Sequence, residues 1–246
     1  MAIRDLRAQR LFIDAPLTAK AAVALTSDQA HYLRNVLRAG AGDRLLIFNG
    51  RDGEWSAEVA ELGKRGGHLT VSEPAKPQPR ANTVRYLFAP LKRARIDYMV
   101  QKATELGVSE LHPVRTRRTV GDRINADRLE ANIIEAAEQC GVLAVPRLHP
   151  LVSLEAALDA WPSQEPLVFC DEATAVANPL EALASAPPGP VGVLVGPEGG
   201  FDADEREMLL AKPYVVPVSL GPRVMRADTA AIAVLALVNA TVGDWV

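Results

Sequence analysis

Apolar and polar positions change their rhythm once along this chain, near residue 80. Before that point alternation predominates. Arg44-Leu-Leu-Ile-Phe48 predicts a strand, Asn49-Gly50 and Asp52-Gly53 a turn, and Trp55 to Leu62 and His68 to Ser72 two further strands. A short helix precedes them. Ser27-Asp28 supplies its cap, Ala30, Leu33, Val36 and Leu37 its apolar face, and Gly40 and Gly42 its end. Strands this short and closely spaced predict a small barrel over residues 1–74. Pro74, Pro77 and Pro79 then disfavour a helix or a central strand, which makes residues 75–80 a linker.

After the linker, strand-like and helix-like runs alternate. Thr83 to Ala89 predicts a strand and Ile96 to Leu106 a helix, with Ile96, Met99, Val100 and Ala103 on one face and Gly107 closing it. Ser109 to Val114 is extended. Asn125-Ala-Asp127 opens a helix that runs to about Gln139 and stops at Gly141. Leu167 to Cys170, Val191 to Val195 and Tyr214 to Val218 predict strands. Asp202, with Glu205 three residues on, predicts a capped helix, and Asp228 is a candidate cap for the apolar last one. Such alternation over residues 81–246 predicts an α/β domain with a largely parallel sheet.

Composition narrows the class. The 246 residues are 48% hydrophobic and 23% charged, which excludes disordered, collagen-like and coiled-coil chains. Aromatics are only 5%, so the core must be aliphatic. Cys140 and Cys170 are too few for a disulfide framework. His31, His68, His112 and His149 lie too far apart for a zinc spacing, although ligands distant in sequence can meet in space; no metal is expected. The longest apolar run, Ala230 to Val238, is too short to span a bilayer, and the charged start MAIRDLRAQR does not read as a signal peptide. A cytoplasmic protein without a membrane partner is the expectation. Charge is unevenly spread: residues 79–125 hold 10 Lys/Arg against 4 Asp/Glu, and residues 126–246 hold 6 against 17. The basic stretch is either an anion-binding face or a solvated surface balanced by the acidic remainder.

Two segments carry candidate chemistry, and each follows a predicted apolar strand. Val195-Gly-Pro-Glu-Gly-Gly-Phe201 can bring bare backbone close to a ligand. Ser219-Leu-Gly-Pro-Arg-Val-Met-Arg-Ala-Asp-Thr229 sets Arg223, Arg226, Asp228 and Thr229 near a helix N-terminus. Either alone reads as a tight turn. Two such loops about two dozen residues apart favour a shared site beyond the carboxyl ends of parallel strands. Their spacing matches neither a Walker loop nor a dinucleotide fingerprint.

The string Leu194-Val-Gly-Pro-Glu-Gly-Gly-Phe-Asp-Ala-Asp-Glu205, followed by Leu220-Gly-Pro-Arg-Val-Met-Arg-Ala-Asp-Thr-Ala230, closely resembles the RsmE-type ribosomal RNA small-subunit methyltransferases. Arg10-Leu-Phe-Ile13, His31-Tyr-Leu-Arg-Asn-Val-Leu-Arg38, Gln101-Lys-Ala-Thr-Glu-Leu-Gly107 and Glu135-Ala-Ala-Glu-Gln139 extend the resemblance over nearly the whole chain. It implies an N-terminal PUA-like RNA-binding barrel and a C-terminal SPOUT domain with a trefoil-knotted parallel sheet. It also implies a homodimer that uses S-adenosyl-L-methionine to methylate uridine N3 in 16S rRNA of the small ribosomal subunit, at position 1498 in the usual RNA numbering.

On that resemblance, the cofactor-binding residues are Leu194, Gly196, Glu198, Gly199, Gly200, Leu220, Gly221, Val224, Met225 and Thr229. Arg226 is the candidate cation for a developing uracil anion, and Glu198 and Asp228 are candidate bases. Asp228 reads equally as a helix cap, and Glu198 as a partner for an arginine across the dimer. Arg10, Arg34, Arg38, Lys92, Arg93, Arg95, Arg117, Arg118 and Arg223 are candidate RNA contacts, Arg34 and Arg38 being four apart on one helix face. Two departures stand out. Asp228 replaces the family's usual glutamate with a shorter carboxylate, and Val142 stands where the family often has arginine. The alternatives are a SPOUT methyltransferase of another RNA, or a non-catalytic RNA-binding protein of ribosome assembly.

Overall fold

A computed structural model describes residues 5–120, 123–175, 178–184, 186 and 189–245, the side chains of 5–8 and 93 excepted. The chain divides into two compact units, residues 1–80 with 137–145, and residues 81–136 with 146–246. No helix among the described residues is long and apolar enough to cross a membrane.

The first unit is a five-stranded sheet in the order β1-β3-β4-β5-β2. Its strands are β1 (Asp5–Phe12), β2 (Ala22–Leu25), β3 (Arg44–Phe48), β4 (Glu54–Leu62) and β5 (Gly67–Lys76). β1 and β3 are parallel and the other pairs antiparallel. Alternate residues Leu45 and Ile47, Ala57 and Val59, and Leu69 and Val71 point inward to one aliphatic core. The helix before β3 differs from expectation. Its cap is Thr26, whose hydroxyl accepts the Gln29 N–H while the Gln29 side chain accepts the Thr26 N–H. α1 (Ser27–His31) then widens into a π-helical turn over Tyr32–Val36. Arg38 lies beyond it with φ +55°, so Arg34 and Arg38 do not share a helix face.

β5 also runs further than predicted and takes in Pro74, which sits opposite Trp55 of β4. β2 pairs only with Gly67 to Thr70, so the Pro74 side of the strand requires no ladder N–H. Residues 137–145 join this unit through Phe48, Ala137 and Leu143, with Phe12, Val142 and Val145 packed around them.

The second unit is a parallel sheet in the order β12-β10-β11-β6-β7-β8, with β9 paired to β7. Its strands are β6 (Val84–Phe88), β7 (Glu110–Arg115), β8 (Arg147–Leu148), β9 (Val152–Ser153), β10 (Leu167–Cys170), β11 (Val191–Val195) and β12 (Val215–Val218). All five residues of β11 are buried, the near-continuous apolar run expected of a strand covered on both faces. The helices are α2 (Arg93–Glu105), α3 (Ala126–Cys140), α4 (Leu154–Asp159), α5 (Pro179–Ala184), α6 (Ala203–Leu210) and α7 (Ala227–Asn239). The last turn of α3 belongs to the first unit by its contacts.

α7 packs on α2 and β11. A polar tie fixes its end. Asn239, fully buried, donates to the Leu106 carbonyl at the end of α2 (2.8 Å) and accepts from Asn82 (2.9 Å). Asn239→Ala is expected to leave both partners unpaired in the interior and to lower unfolding stability by about 1–3 kcal/mol, measured by urea denaturation.

Candidate active site

The strand order sets the carboxyl ends of β10, β11 and β12 side by side, and the loop leaving each one borders a single cleft of about 430 Å³. That size lies in the range of small-molecule sites.

The loop after β11 begins at Gly196, where a Cβ would lie 2.5 Å from the Phe201 ring. Only a bare backbone lets the chain fold back on that ring. Gly200 follows with φ +67°, a left-handed conformation that favours glycine. The segment then enters α6 through a full capping box: the Asp202 carboxylate accepts the Glu205 N–H (2.8 Å), and Glu205 accepts the Asp202 N–H (3.2 Å). Glu205 is only 2% exposed, and its other oxygen accepts the Arg117 N–H at 2.7 Å. Arg117 also pairs through its guanidinium with Asp202 (2.8 Å) and Asp204 (2.6 Å), which raise its pKa further. Arg118 donates to the Gly199 carbonyl (2.8 Å), and Arg95 pairs with Glu198 (3.3 Å).

The loop after β12, Ser219 to Arg226, is held differently. Gly221 donates to the Ser219 hydroxyl (3.4 Å), and the Arg226 carbonyl accepts the first bond of α7 from Ala230. Among the described residues no backbone hydrogen bond engages Leu220, Val224 or Met225. Val224 is 82% exposed. The cap of α7 is Arg226, not Asp228; Asp228 lies one residue inside the helix, where its Oδ1 accepts the Thr229 N–H (2.9 Å).

Gly196, Glu198, Gly200, Leu220, Gly221, Val224, Met225 and Arg226 thus line one cleft, together with Arg95 and Arg223. Leu194 is fully buried in the core beneath it, and Gly199, Asp228 and Thr229 lie outside the lining. Among the described residues the ion pairs at the cleft are Arg95–Glu198 and Arg206–Asp171, and neither Arg223 nor Arg226 has one. Of the other candidate RNA contacts, Arg10 is turned to buried Glu54 (2.7 Å), Arg34 donates to Asn35 (3.4 Å), Arg38 is exposed, and Lys92 caps α2. The Arg93 side chain lies outside the described residues.

The third loop, after β10, went unanticipated. It contributes Asp171, Glu172 and Ala173 to the lining, opposite Arg206 of α6. The available signal was position: Asp171-Glu172 directly follows a predicted apolar strand, as the other two loops do. Asp171 is 4% exposed and accepts from Ala173 N–H (3.1 Å), Thr174 hydroxyl (2.6 Å) and Arg206, whose Nε reaches both oxygens at 3.1 and 3.0 Å. Burial pushes this carboxyl up, but the bonds from Arg206, Thr174 and Ala173 outweigh it and hold the pKa below its usual value. Cys170 lies at the same strand end, where desolvation pushes its thiol up to about 12, so it stays protonated and is no nucleophile.

An RNA methyltransferase domain family matches residues 78–239, and an RNA methyltransferase PUA domain matches residues 25–72. Fold and site therefore define an RNA methyltransferase of the α/β, SPOUT-type parallel-sheet class with a PUA-like N-terminal unit. The chain is 30% identical over 232 residues to the ribosomal RNA small subunit methyltransferase E of Rickettsia conorii, covering 94% of each. It is 31% identical over 242 residues to that of Synechocystis sp., covering 95% of this chain and 78% of the relative. Among solved structures it is similar to the Neisseria gonorrhoeae ribosomal RNA small subunit methyltransferase E bound to S-adenosyl methionine. The TM-score is 0.86 and the identity 25%, covering 97% of this chain and 99% of that one. The chain belongs to the ribosomal RNA small subunit methyltransferase E family.

The Asp171 site gives a pH prediction. Its carboxyl titrates lower in the folded than in the unfolded chain, so its stabilisation is complete above the ordinary carboxylate range, about pH 4, and is lost as pH falls through the folded value. Melting temperatures measured between pH 6 and pH 2.5 are expected to fall more steeply for the wild type than for Asp171→Asn.

Proposed function

We propose that this chain transfers a methyl group from S-adenosyl-L-methionine to N3 of a uridine in the rRNA of the small ribosomal subunit. The observation that carries the reading is the cleft itself. It joins an aliphatic floor of Val195, Val218, Met225 and Ala230 to main-chain groups at Leu220 and Val224–Met225 that have no backbone partner among the described residues. A purine edge needs such donors and acceptors, and an aliphatic floor suits its faces. The residues therefore fit the cofactor.

Bound there, the cofactor supplies an electrophilic methyl carbon on a sulfonium. Gly196 and Gly200 let the loop after β11 close around it, with Phe201 folded against the backbone. Leu220, Gly221, Val224 and Met225 hold the adenine. Uridine N3 carries a proton and is a weak nucleophile until that proton leaves. Glu198, which lines the cleft beside Arg95, is the better placed of the two candidate bases, since Asp228 is outside the lining. Arg226, exposed and free of an ion pair among the described residues, stabilises the uracil anion at a carbonyl oxygen beside N3. With the proton passed to Glu198 and the anion held by Arg226, N3 would be aligned to accept the methyl group that the cofactor would supply, its sulfur leaving as a neutral thioether. The N-terminal unit grips the RNA, with Arg34 and Arg38 as phosphate contacts, and Lys92 and Arg223 serve the same purpose in the second unit. The working form is a cytoplasmic homodimer.

The decisive assay is methyl transfer from labelled S-adenosyl-L-methionine to small subunits lacking the modification, read by nucleoside analysis. N3-methyluridine at one site is the expected product. Absence of transfer with the cofactor bound would overturn the substrate assignment. Arg226→Ala is expected to keep cofactor affinity by calorimetry and to lower single-turnover transfer by about 10²–10³-fold. An equal loss of cofactor binding would make Arg226 part of the pocket wall instead.

A further inference from the structure

Glu110, His112 and His149 meet on the sheet away from the cleft, and the proposed methyl transfer uses none of them. Glu110 and His112 are two apart on β7 and so share one face of the sheet. His149 follows β8, which pairs with β7, and its N–H donates to the Leu111 carbonyl (2.8 Å). The two imidazoles stack with centroids 3.9 Å apart and an interplanar angle of 12°. Both Nε2 atoms lie 2.8 Å from the same Glu110 oxygen, Oε2.

Like this, the cluster is incompletely satisfied. The contact from His112 is a hydrogen bond, but that from His149 is out of alignment. The His149 Nε2 is sealed from solvent with no hydrogen-bond partner among the described residues. Arg85, opposite Glu110 on β6, is engaged elsewhere: it pairs with Glu165 (2.5 Å) and lies over the Trp161 ring (5.1 Å). Three metal-ligating atoms therefore converge on one point, all within 4.8 Å of one another.

We propose that Glu110, His112 and His149 bind a divalent transition metal of the zinc class. Two imidazoles and a carboxylate are a donor set that zinc accepts, with a fourth position left for water. Ligand atoms around a tetrahedral zinc lie about 3.3 Å apart, so the 2.8 Å contacts need to open by only a few tenths of an ångström. The side chains as a whole are 23–35% exposed, so an ion reaches the sealed His149 Nε2 once the stacked rings part slightly. Ligation requires His112 Nε2 without its proton, so the ion displaces the hydrogen bond from His112 to Glu110. Glu110 is held below its usual value, against the opposing effect of burial, by His112, His149 and Arg85. The ion would clip β8, the last strand on its side of the sheet, to β7.

The test is titration of the chelator-treated full chain with Zn²⁺ by calorimetry, alongside Co²⁺ followed by visible absorption. One equivalent of each metal is expected, with Co²⁺ giving the intense bands of a four-coordinate N/O site. His149→Gln and His112→Ala, checked for native circular dichroism, are expected to weaken binding by more than about 100-fold, since losing even an outer partner of a ligand costs 10–100-fold. Should either variant fail to fold, Glu110→Gln provides the same comparison. Absence of stoichiometric binding to the wild type, or binding unchanged in the folded variants, would overturn the proposal. Neither result bears on the methyltransferase cleft.

Discussion

The buried carboxylate of Glu205 holds the candidate active site in shape. A charge with 2% exposure is costly to desolvate, and it is tolerated here because two backbone N–H groups, from Asp202 and Arg117, point at its two oxygens. One bond starts α6. The other crosses to the segment after β7. The glycine-rich loop is thereby tied at its downstream end, and Arg118 and Arg95 brace it from the side. Without that tie, a loop containing Gly196, Gly199 and Gly200 would have little to fix its path.

The loop after β12 is organised on the opposite principle. It is anchored by the Gly221 bond to Ser219 and at the first turn of α7, and among the described residues no backbone bond engages Leu220, Val224 or Met225. A ligand that supplies the missing partners would order a segment whose ends are already fixed. The two loops thus divide the task between a braced wall and an unsatisfied one, and the cleft between them gathers charged side chains of both signs, Asp171 and Glu198 among the acids and Arg206 and Arg226 among the bases.

Much of this was legible in residue order. The strands at 44–48, 167–170 and 191–195 fall where their apolar runs predict, and Asp202 with Glu205 forms the capping box their spacing announces. The parallel sheet, the glycine-rich loop after β11 and the Gly-Pro loop after β12 were readable for the same reason: each depends on local pattern. What escaped depends on partners distant in sequence. Asp171 is significant only because Arg206 lies across from it. Arg10 reads as a free surface cation until Glu54 is brought beside it. His112 and His149 look scattered until two parallel strands pair. The cap of α1 was misassigned by one residue, because Thr26, Ser27 and Asp28 are all good capping types and only the Gln29 side chain distinguishes them. Pro74 lies within a strand that its type argues against, because β2 does not pair with that end of β5 and no ladder donor is needed there.

The discontinuous make-up of the first unit has a consequence for biosynthesis. Phe48 completes its apolar cluster with Ala137 and Leu143, residues made almost a hundred positions later. In the second unit β11 must enter between β6 and β10, which are translated well before it, and β12 then covers the far side of β10. Neither unit can finish as its first half emerges from the ribosome. The main core of the first unit, Leu11 to Val71, is complete once β5 is made, but its Phe48 cluster waits for residue 145, and the second sheet waits for β12 and α7. Folding of the two units is therefore staggered, the first sheet being able to form before the second is fully synthesised.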